Sequence, residues 1–345
     1  MLTASWLRIL LLLSGILTPT VELLAQVESK PASTFMNPLR EDGPDPWVTR
    51  QGPYYYYTNT TGRNLTIWKT KALSEIAQVK PVVVWTPPAT GMNSDAIWAP
   101  ELHQLDGKWY FYYTATNKVN SSDNTRYVFV LENASADPTT GTWVDKGKIN
   151  TRYSGLDGSV FEHGGQRYFL YSAYVGPQSV LAIAPMDNPW TLRAGKEVVL
   201  AQPTYAWEKG GGRQILEGPE FLPGRKGQLN IVYSASACWD DNYALGMLTA
   251  AEGSDLLRPE SWRKAPQPVF RPSAQNGVWG TGHNSFTKSP DGREDWIVYH
   301  AKAAADGKCA GRSSRAQRFT WNPDGTPNFG EPASLLQPQP RPSGE

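Results

Sequence analysis

Short runs of apolar and aromatic residues recur along the chain, and each one begins at a glycine-containing turn and ends at a tyrosine. Runs of this length between turn signals are typical of β-strands with buried side chains. The closing tyrosines return at intervals of roughly 60 residues, which indicates an internal repeat. The five segments are 52–57, 107–113, 165–171, 227–233 and 292–299.

One ionisable residue precedes each segment and sits beside a proline or a glycine. The five residues are Asp45, Glu101, Asp157, Glu217 and His283. Each repeat therefore contains a polar residue, a strand, a turn and a second strand, which predicts the blade of a β-propeller. We expect an all-β, five-bladed β-propeller in which these five side chains converge on the central channel. The alternative is that they are unrelated loop residues.

The two ends of the chain differ from this repeat region. Residues 1–25 predict a secretory signal peptide, with a basic residue, an apolar run and a small residue for cleavage. A membrane anchor is the alternative, but the apolar run is short for a membrane span. The expected organisation is an N-terminal arm at 26–38, one propeller domain at 39–331 and a frayed, proline-rich tail at 332–345.

Composition narrows the possible partners. The net charge is +1, with 33 basic and 32 acidic residues, which argues against a nucleic acid or a membrane surface as the partner. The 14 Trp, 16 Tyr and 10 Phe residues suit a propeller core and also the apolar faces of sugars. We expect a secreted monomer, located outside the cell or in the periplasm of a diderm bacterium.

Cysteine and histidine usage points away from thiol and zinc chemistry. The chain has 2 cysteines, Cys238 and Cys309, which predict one disulfide in an oxidising compartment, with two buried free thiols as the alternative. Its 4 histidines are too few and too scattered to favour a zinc site. Glycosylation sequons, relevant only in a host that glycosylates, occur at Asn59, Asn64, Asn120 and Asn133.

Hydrolysis of a glycosidic bond needs one protonated carboxyl group to expel the leaving oxygen and one carboxylate to activate water or attack the sugar. Asp45, Asp157 and Glu217 on three inner strands would meet that need, because crowded carboxylates raise one another's pKa. Glu217 lies in an apolar run, which suits a general acid, and Glu220 is its competitor. Residues three apart on a regular strand face opposite sides, so we expect only one of the two glutamates to face the channel.

Four motifs together resemble glycoside hydrolase family 43. Asp45-Pro-Trp-Val, Leu-Asp157-Gly-Ser-Val and Glu217-Gly-Pro-Glu resemble its three-carboxylate signature, and Trp98-Ala-Pro-Glu101-Leu resembles its second-blade motif. The resemblance covers about residues 38–330. It implies a five-bladed propeller that hydrolyses arabinose- or xylose-containing polymers with inversion. It also implies Asp45 as general base, Glu217 as general acid and Asp157 as the residue that orients and tunes the acid.

Three further side chains are candidates for the site. Glu101 is expected to bind substrate or to buttress the site through a water molecule. Trp98 either stacks on a sugar or packs between blades. His283 faces a channel ion, such as a structural calcium ion, through ordered water, or it hydrogen-bonds a carboxylate.

The segment 311–325 contains three arginines, one of which is expected to pair with a carboxylate and bind substrate. Family resemblance favours Arg315 over Arg312 and Arg318.

The leading expectation is a secreted, inverting α-L-arabinofuranosidase that needs no cofactor and acts on plant cell-wall arabinan or arabinoxylan. A β-xylosidase or an endo-arabinanase with the same site is the second candidate. A lectin-like propeller that binds glycan without cleaving it is the third. Three convergent carboxylates argue against the lectin, because burying acids is costly and binding alone does not require it.

Overall fold

The structure is a computed structural model that describes Met1 and residues 33–345, so the signal peptide expected at 1–25 lies outside the described residues. The described chain consists of 23 short β-strands and five 3-10 helices. None of the helices described is long and apolar enough to cross a membrane. The all-β prediction is confirmed.

Five antiparallel meanders of four main strands, numbered 1 to 5 in chain order, follow β1 (Thr34–Phe35). Meander 1 contains β2 (Trp47–Gln51), β3 (Tyr54–Thr58), β4 (Leu65–Thr70) and β5 (Val82–Trp85). Meander 2 contains β6 (Asp95–Leu105), β7 (Lys108–Thr116), β8 (Tyr127–Asn133) and β9 (Val144–Lys148). Meander 3 contains β10 (Gly155–His163), β11 (Gln166–Val175), β12 (Gln178–Asn188), the short β13 (Thr191–Leu192) and β14 (Val198–Ala201).

The remaining strands continue the same pattern. Meander 4 contains β15 (Gln214–Pro223), β16 (Gln228–Ala235), β17 (Ala244–Ala251) and β18 (Arg263–Lys264). Meander 5 contains β19 (Trp279–Lys288), β20 (Asp295–Lys302), β21 (Ser313–Trp321) and β22 (Pro327–Asn328), and β23 is Gln339–Pro340. The 3-10 helices are Leu73–Gln78, Asp123–Thr125, Ala206–Glu208, Gly210–Gly212 and Pro259–Ser261. A short parallel pairing of β12 with β15 joins meanders 3 and 4 into one sheet.

The tyrosine segments form the second strand of each meander, as the repeat predicts. Their closing tyrosines are all fully buried: Tyr57, Tyr113, Tyr171, Tyr233 and Tyr299. The apolar core is divided into five clusters, and each cluster fills the space between two consecutive meanders, including one between meander 5 and meander 1. The first strands β2, β6, β10, β15 and β19 contact one another in the same cyclic order.

A residue with a left-handed backbone recurs at an equivalent position in, or just before, the first strand of every meander. These residues are Asp45 (φ 53°), Ala99 (φ 39°), Asp157 (φ 55°), Gly218 (φ 52°) and His283 (φ 45°). In β6, β10, β15 and β19 the strand register shifts by one residue at this position, which makes it a β-bulge.

Each of these backbone N–H groups donates a hydrogen bond to a side chain of the preceding meander. The acceptors are His300 Nδ1 for Asp45 (3.1 Å), Thr60 Oγ1 for Ala99 (2.6 Å), Thr114 Oγ1 for Asp157 (3.0 Å), Asp157 Oδ2 for Gly218 (3.0 Å) and Ser234 Oγ for His283 (2.7 Å). The repeated left-handed position therefore ties consecutive meanders together close to the centre.

This register corrects two expectations. The residues equivalent to Asp45 in meanders 2 and 4 are Ala99 and Gly218, so Glu101 and Glu217 do not occupy the repeated position. The extra residue in the β15 bulge also breaks the strict alternation of side chains. Glu217 and Glu220 consequently both face the centre, Glu217 into the main cavity and Glu220 into a smaller space beneath it.

The C-terminal segment is not frayed, in contrast to the sequence-based expectation. β23 pairs with β1, and the Glu345 side chain accepts a hydrogen bond from the Leu73 backbone N–H at 2.6 Å. The described part of the N-terminal arm packs through Phe35 into the cluster between meanders 5 and 1. Apolar and hydrogen-bonding contacts therefore hold both segments on the sheets despite their polar, proline-rich composition.

Candidate active site

A cavity of about 470 Å³ lies at the N-terminal ends of the first strands. The three carboxylic acids expected to carry the chemistry, Asp45, Asp157 and Glu217, all line it. Its wall also contains one histidine and several aromatic and basic side chains, among them Trp98, Arg126, Tyr174, Arg213, Trp239, His283 and Arg312. Its volume falls in the range of small-molecule binding sites.

Asp45 is held in its ionised form. Burial acts to raise its pKa, but the charges of Arg312 and His283 outweigh burial and hold the pKa of Asp45 well below its ordinary value. Arg312 Nη1 donates to Asp45 Oδ1 at 2.7 Å, and the Nδ1 atoms of His283 and His300 lie 3.3 Å from the same oxygen. An ionised carboxylate can accept a proton from water, which is the role of a general base.

Asp157 has the opposite electrostatic environment. Burial, together with the charges of Glu217 and Asp45, raises the pKa of Asp157 to about 8, although His283 and the Gly218 N–H favour its ionised form. Its Oδ2 accepts the hydrogen bond from Gly218 N, one residue after Glu217. Asp157 is therefore fastened to the backbone that carries Glu217.

Glu217 also has a raised pKa, for which burial is the main cause and the Asp45 charge a further one. His283 and a hydrogen bond from Tyr243 oppose the shift. Tyr243 Oη donates to Glu217 Oε1 at 2.7 Å, and its ring stacks on that of His300 with centroids 5.5 Å apart. The site thus separates one ionised acid from two acids that burial favours in the protonated form, which is the division that acid–base hydrolysis requires.

His283 lies between the carboxyl groups. Its Nδ1 is 3.3 Å from Asp45 Oδ1 and 4.0 Å from Asp157 Oδ2. Burial acts to lower the pKa of His283, but Asp45, Asp157 and Glu217 together raise it, so the acids favour the imidazolium. The arrangement matches the carboxylate-bound alternative expected for this residue.

A calcium ion near His283 stays a prediction. No group of three or more histidine, cysteine or acidic side chains within residues 33–345 is arranged to hold a metal ion.

Trp98 lines the cavity, and its expected role in stacking on a sugar stays a prediction. The Arg126 guanidinium lies over the indole ring of Trp98, 4.2 Å from the ring centroid. Arg126 in turn donates to Asp123 Oδ1 at 2.7 Å and to Tyr174 Oη at 3.3 Å. Meanders 2 and 3 therefore supply aromatic and charged side chains to the cavity wall.

Two expected substrate-binding residues do not line the cavity. Glu101 is buried beneath it, where its Oε2 lies 2.7 Å from His103 Nε2, and Glu101 also borders Glu220. The proximity of Glu101, after burial itself, raises the pKa of Glu220 well above its ordinary value. Glu101 therefore supports the floor of the site and does not contact a sugar in the cavity.

Arg315 is a wrong assignment. It lies within β21, is completely buried, and donates from Nε to Ser313 Oγ at 3.2 Å; its Nη1 and Nη2 have no hydrogen-bond partner among the described residues. Arg312 is the arginine that pairs with an acid of the cavity, Asp45, because it precedes β21 and extends from the loop into the cavity. Tyr243 and His300 were also missed; His300 follows a repeat tyrosine, which is the signal that could have identified it.

The disulfide expected from composition is present. Cys238 and Cys309 are bridged, and none of the described cysteines is free. Both line the cavity, and the bridge joins the loop that carries Trp239 to the loop that carries Arg312. Arg312 Nε also donates to the Cys309 carbonyl at 2.8 Å. The covalent link consequently helps to position the guanidinium that pairs with Asp45.

An all-β fold whose first strands bring an ionised carboxylate and two protonation-prone carboxyl groups to one aromatic-walled cavity defines a glycoside-hydrolase type of protein. The family model described as glycosyl hydrolases family 43 matches residues 35–327. The chain therefore belongs to glycosyl hydrolases family 43.

Its relatives include proteins named as arabinofuranosidases. It is 39% identical over 325 residues to the extracellular exo-α-(1→5)-L-arabinofuranosidase of Streptomyces avermitilis, covering 90% of this chain and 66% of the relative. It is 36% identical to α-L-arabinofuranosidase 43 of Humicola insolens, covering 88% of this chain and 65% of that protein. The chain thus spans just under two thirds of the length of these two relatives.

Among solved structures, the crystal structure of an α-L-arabinofuranosidase from Lactobacillus brevis is similar, with a TM-score of 0.82 and 37% identity. The match covers 87% of this chain and 98% of that one.

Proposed function

We propose that this chain is an inverting α-L-arabinofuranosidase that releases L-arabinofuranose from the ends or side branches of arabinan or arabinoxylan. The observation that carries the proposal is the division of charge in one cavity: Arg312 keeps Asp45 ionised, while burial favours the protonated form of Glu217. The choice of sugar is supported by the names of the relatives, three of which are at least 36% identical over most of this chain.

In the proposed reaction Asp45 is the general base and Glu217 the general acid. Asp45 takes a proton from a water molecule while the water oxygen bonds to the anomeric carbon. The glycosidic C–O bond breaks, and Glu217 gives its proton to the leaving oxygen. Asp45 ends protonated and Glu217 ionised, and exchange with solvent restores both. The reaction requires no cofactor.

Asp157 is proposed to tune and position the acid. Its carboxyl group accepts the Gly218 N–H, so it orients the backbone next to Glu217. Asp157 and Glu217 are close enough for the charge of either one to disfavour ionisation of the other, which keeps a proton available for the leaving group.

We also propose that the five meanders are the blades of a propeller spanning 39–331. The cyclic contacts of the first strands and the five apolar clusters between consecutive meanders support this arrangement. Such closure would explain how acids from meanders 1, 3 and 4 reach one cavity. Action outside the cell is supported by relatives that are named extracellular. A monomeric state is our expectation and is open to a light-scattering measurement.

The proposal is tested by incubating the protein with nitrophenyl α-L-arabinofuranoside, nitrophenyl β-xyloside and arabinan, and by following the product anomer by NMR. We expect arabinose release with inverted configuration, a preference for the arabinoside over the xyloside, and loss of activity in Glu217→Gln. Retained configuration would overturn the mechanism, and preference for the xyloside would identify a β-xylosidase. Glycan binding without any release would identify a lectin.

A further inference from the structure

An ion pair crosses the edge of the catalytic cavity. Arg213 Nη2 lies 3.3 Å from Asp123 Oδ2, and the two side chains are 45% and 48% exposed. Asp123 comes from the 3-10 helix between β7 and β8 in meander 2, and Arg213 directly precedes β15 of meander 4. The pair therefore links two meanders that are not neighbours in the chain, above the β11–β12 hairpin of meander 3.

A second cavity, of about 530 Å³, lies on the other side of this pair. Asp123, Tyr174 and Arg213 line both cavities, whereas the three acids line only the catalytic one. This second cavity, called the outer cavity below, is also lined by residues of the β11–β12 turn and by neighbouring polar residues. They are Asn124, Gly176, Pro177, Gln178, Gly212 and Gln214. The ion pair and the Tyr174 side chain are thus the shared wall between the two spaces.

The two halves of the pair are anchored differently. Asp123 is held by Arg126, which is only 8% exposed and is stacked on Trp98, so the carboxylate has a fixed position. Arg213 follows the three glycines of Gly210–Gly212, and Gly211 and Gly212 have left-handed φ angles of 67° and 73°. Glycine adopts this conformation without steric cost, so the backbone can place the guanidinium across the gap.

We propose that the Asp123–Arg213 pair is the partition that limits the catalytic cavity to a chain end or a single side branch. This inference rests on the proposed function and names the residues that decide the mode of attack. A polysaccharide that ran through both cavities would have to displace the Arg213 side chain. With the pair in place, the sugar next to the acids meets a wall, and cleavage releases one sugar at a time.

The pair is suited to a clean test because exposed ion pairs contribute little to stability. Arg213→Ala opens the wall, and Arg213→Lys keeps a cation facing Asp123. Arg193→Ala is the matched control, since Arg193 Nε lies 2.9 Å from Asp187 Oδ1, the two side chains are 47% and 50% exposed, and neither residue lines either cavity. Each protein is incubated with linear α-1,5-arabinan, and the products are separated by chromatography early in the reaction.

The measured quantity is the ratio of arabino-oligosaccharides to arabinose, which does not depend on the total rate. We expect this ratio to rise at least threefold in Arg213→Ala and to stay at the wild-type value in Arg213→Lys and Arg193→Ala. An unchanged ratio in Arg213→Ala, or an equal rise in Arg193→Ala, overturns the partition while the proposed function stands. If the wild-type protein releases no arabinose from arabinan or from the nitrophenyl arabinofuranoside, the proposed function fails first and the partition with it.

Discussion

Arg312 donates a hydrogen bond from Nη1 to Oδ1 of Asp45 at 2.7 Å, although the two residues are 267 positions apart in the chain. The carboxylate is almost fully buried, and a buried acid without a cation would hold its proton. The arginine reverses this preference, so the pKa of Asp45 is held low and its carboxylate is ionised. This contact gives the site its asymmetry, because neither Asp157 nor Glu217 has an arginine partner among the described residues.

Removing the Arg312 cation should move the acidic limb of the pH profile. In Arg312→Gln, burial is no longer outweighed, so the pKa of Asp45 should rise. We expect the acidic limb of kcat/KM to move to higher pH by about one unit or more. The measurement is kcat/KM against pH with nitrophenyl arabinofuranoside. Arg318→Gln, which removes the exposed Arg318 partner of Glu294, is the control and should leave the limb in place.

Tyr243→Phe should move the alkaline limb of the pH profile to higher pH. The Tyr243 hydroxyl stabilises ionised Glu217, so its removal should raise the pKa of Glu217 further. Loss of the hydrogen bond also frees the acid to rotate, and we expect kcat to fall about tenfold. The readout is the pH profile of kcat/KM together with kcat. A lower kcat with an unmoved alkaline limb would show that Tyr243 does not act on the ionisation of Glu217.

Asp157→Asn should abolish activity and yet stabilise the fold above neutral pH. The folded-state pKa of Asp157, about 8, exceeds the ordinary value of 3.8, so the folded protein binds more protons than the unfolded chain between these values. The stability that this group contributes is complete below pH 3.8 and is lost as the pH rises through 8. Asparagine cannot ionise, so the variant should gain about 1–3 kcal/mol in free energy of unfolding near pH 8 and nothing near pH 4.

Chemical denaturation at both pH values measures this gain. Asp291→Asn is the control of opposite sign, because hydrogen bonds from Ser343 and Ser289 lower the pKa of Asp291 to about 2. Loss of the Asp291 carboxylate should lower the free energy of unfolding above pH 4. An Asp157→Asn variant that is equally destabilised at both pH values would contradict the proposed origin of the effect.

Replacing both Cys238 and Cys309 by serine should lower stability and activity together. The bridge closes a loop with a sequence separation of 71, for which the chain-entropy model gives roughly 4 kcal/mol. Activity should fall because the Cys309 carbonyl positions Arg312. Thermal unfolding of the variant, and of the wild-type protein with and without reductant, checks the prediction. A variant with the same melting temperature and the same kcat/KM would show that the surrounding contacts suffice.

Many residues of the candidate site could be predicted because the repeat is visible in the sequence. The spacing of tyrosine segments identified the second strand of every meander, and the acids that precede three of them line one cavity. Trp98 and the disulfide were also expected. These features depend on residue type and chain order, which a repeated unit preserves from one copy to the next.

The sequence-based predictions were wrong where a shift of one residue in strand register changes which side chains face the centre. The bulges in β6 and β15 place Ala99 and Gly218 at the repeated position, and the β15 bulge turns both Glu217 and Glu220 inward, which alternation along a regular strand does not predict. Tyr243 lies outside the repeated segments, so no local pattern indicated its contact with Glu217.

The sequence by itself determined that this protein is an all-β repeat with three acids in equivalent neighbourhoods, because hydrophobic period and turn residues act locally along the chain. Only the tertiary structure decided which arginine meets Asp45. Arg312 and Arg315 are three residues apart, and the point at which β21 begins sends one guanidinium into the cavity and the other into the interior. That point depends on contacts between segments far apart in the chain, and the same contacts decide which acid keeps its proton.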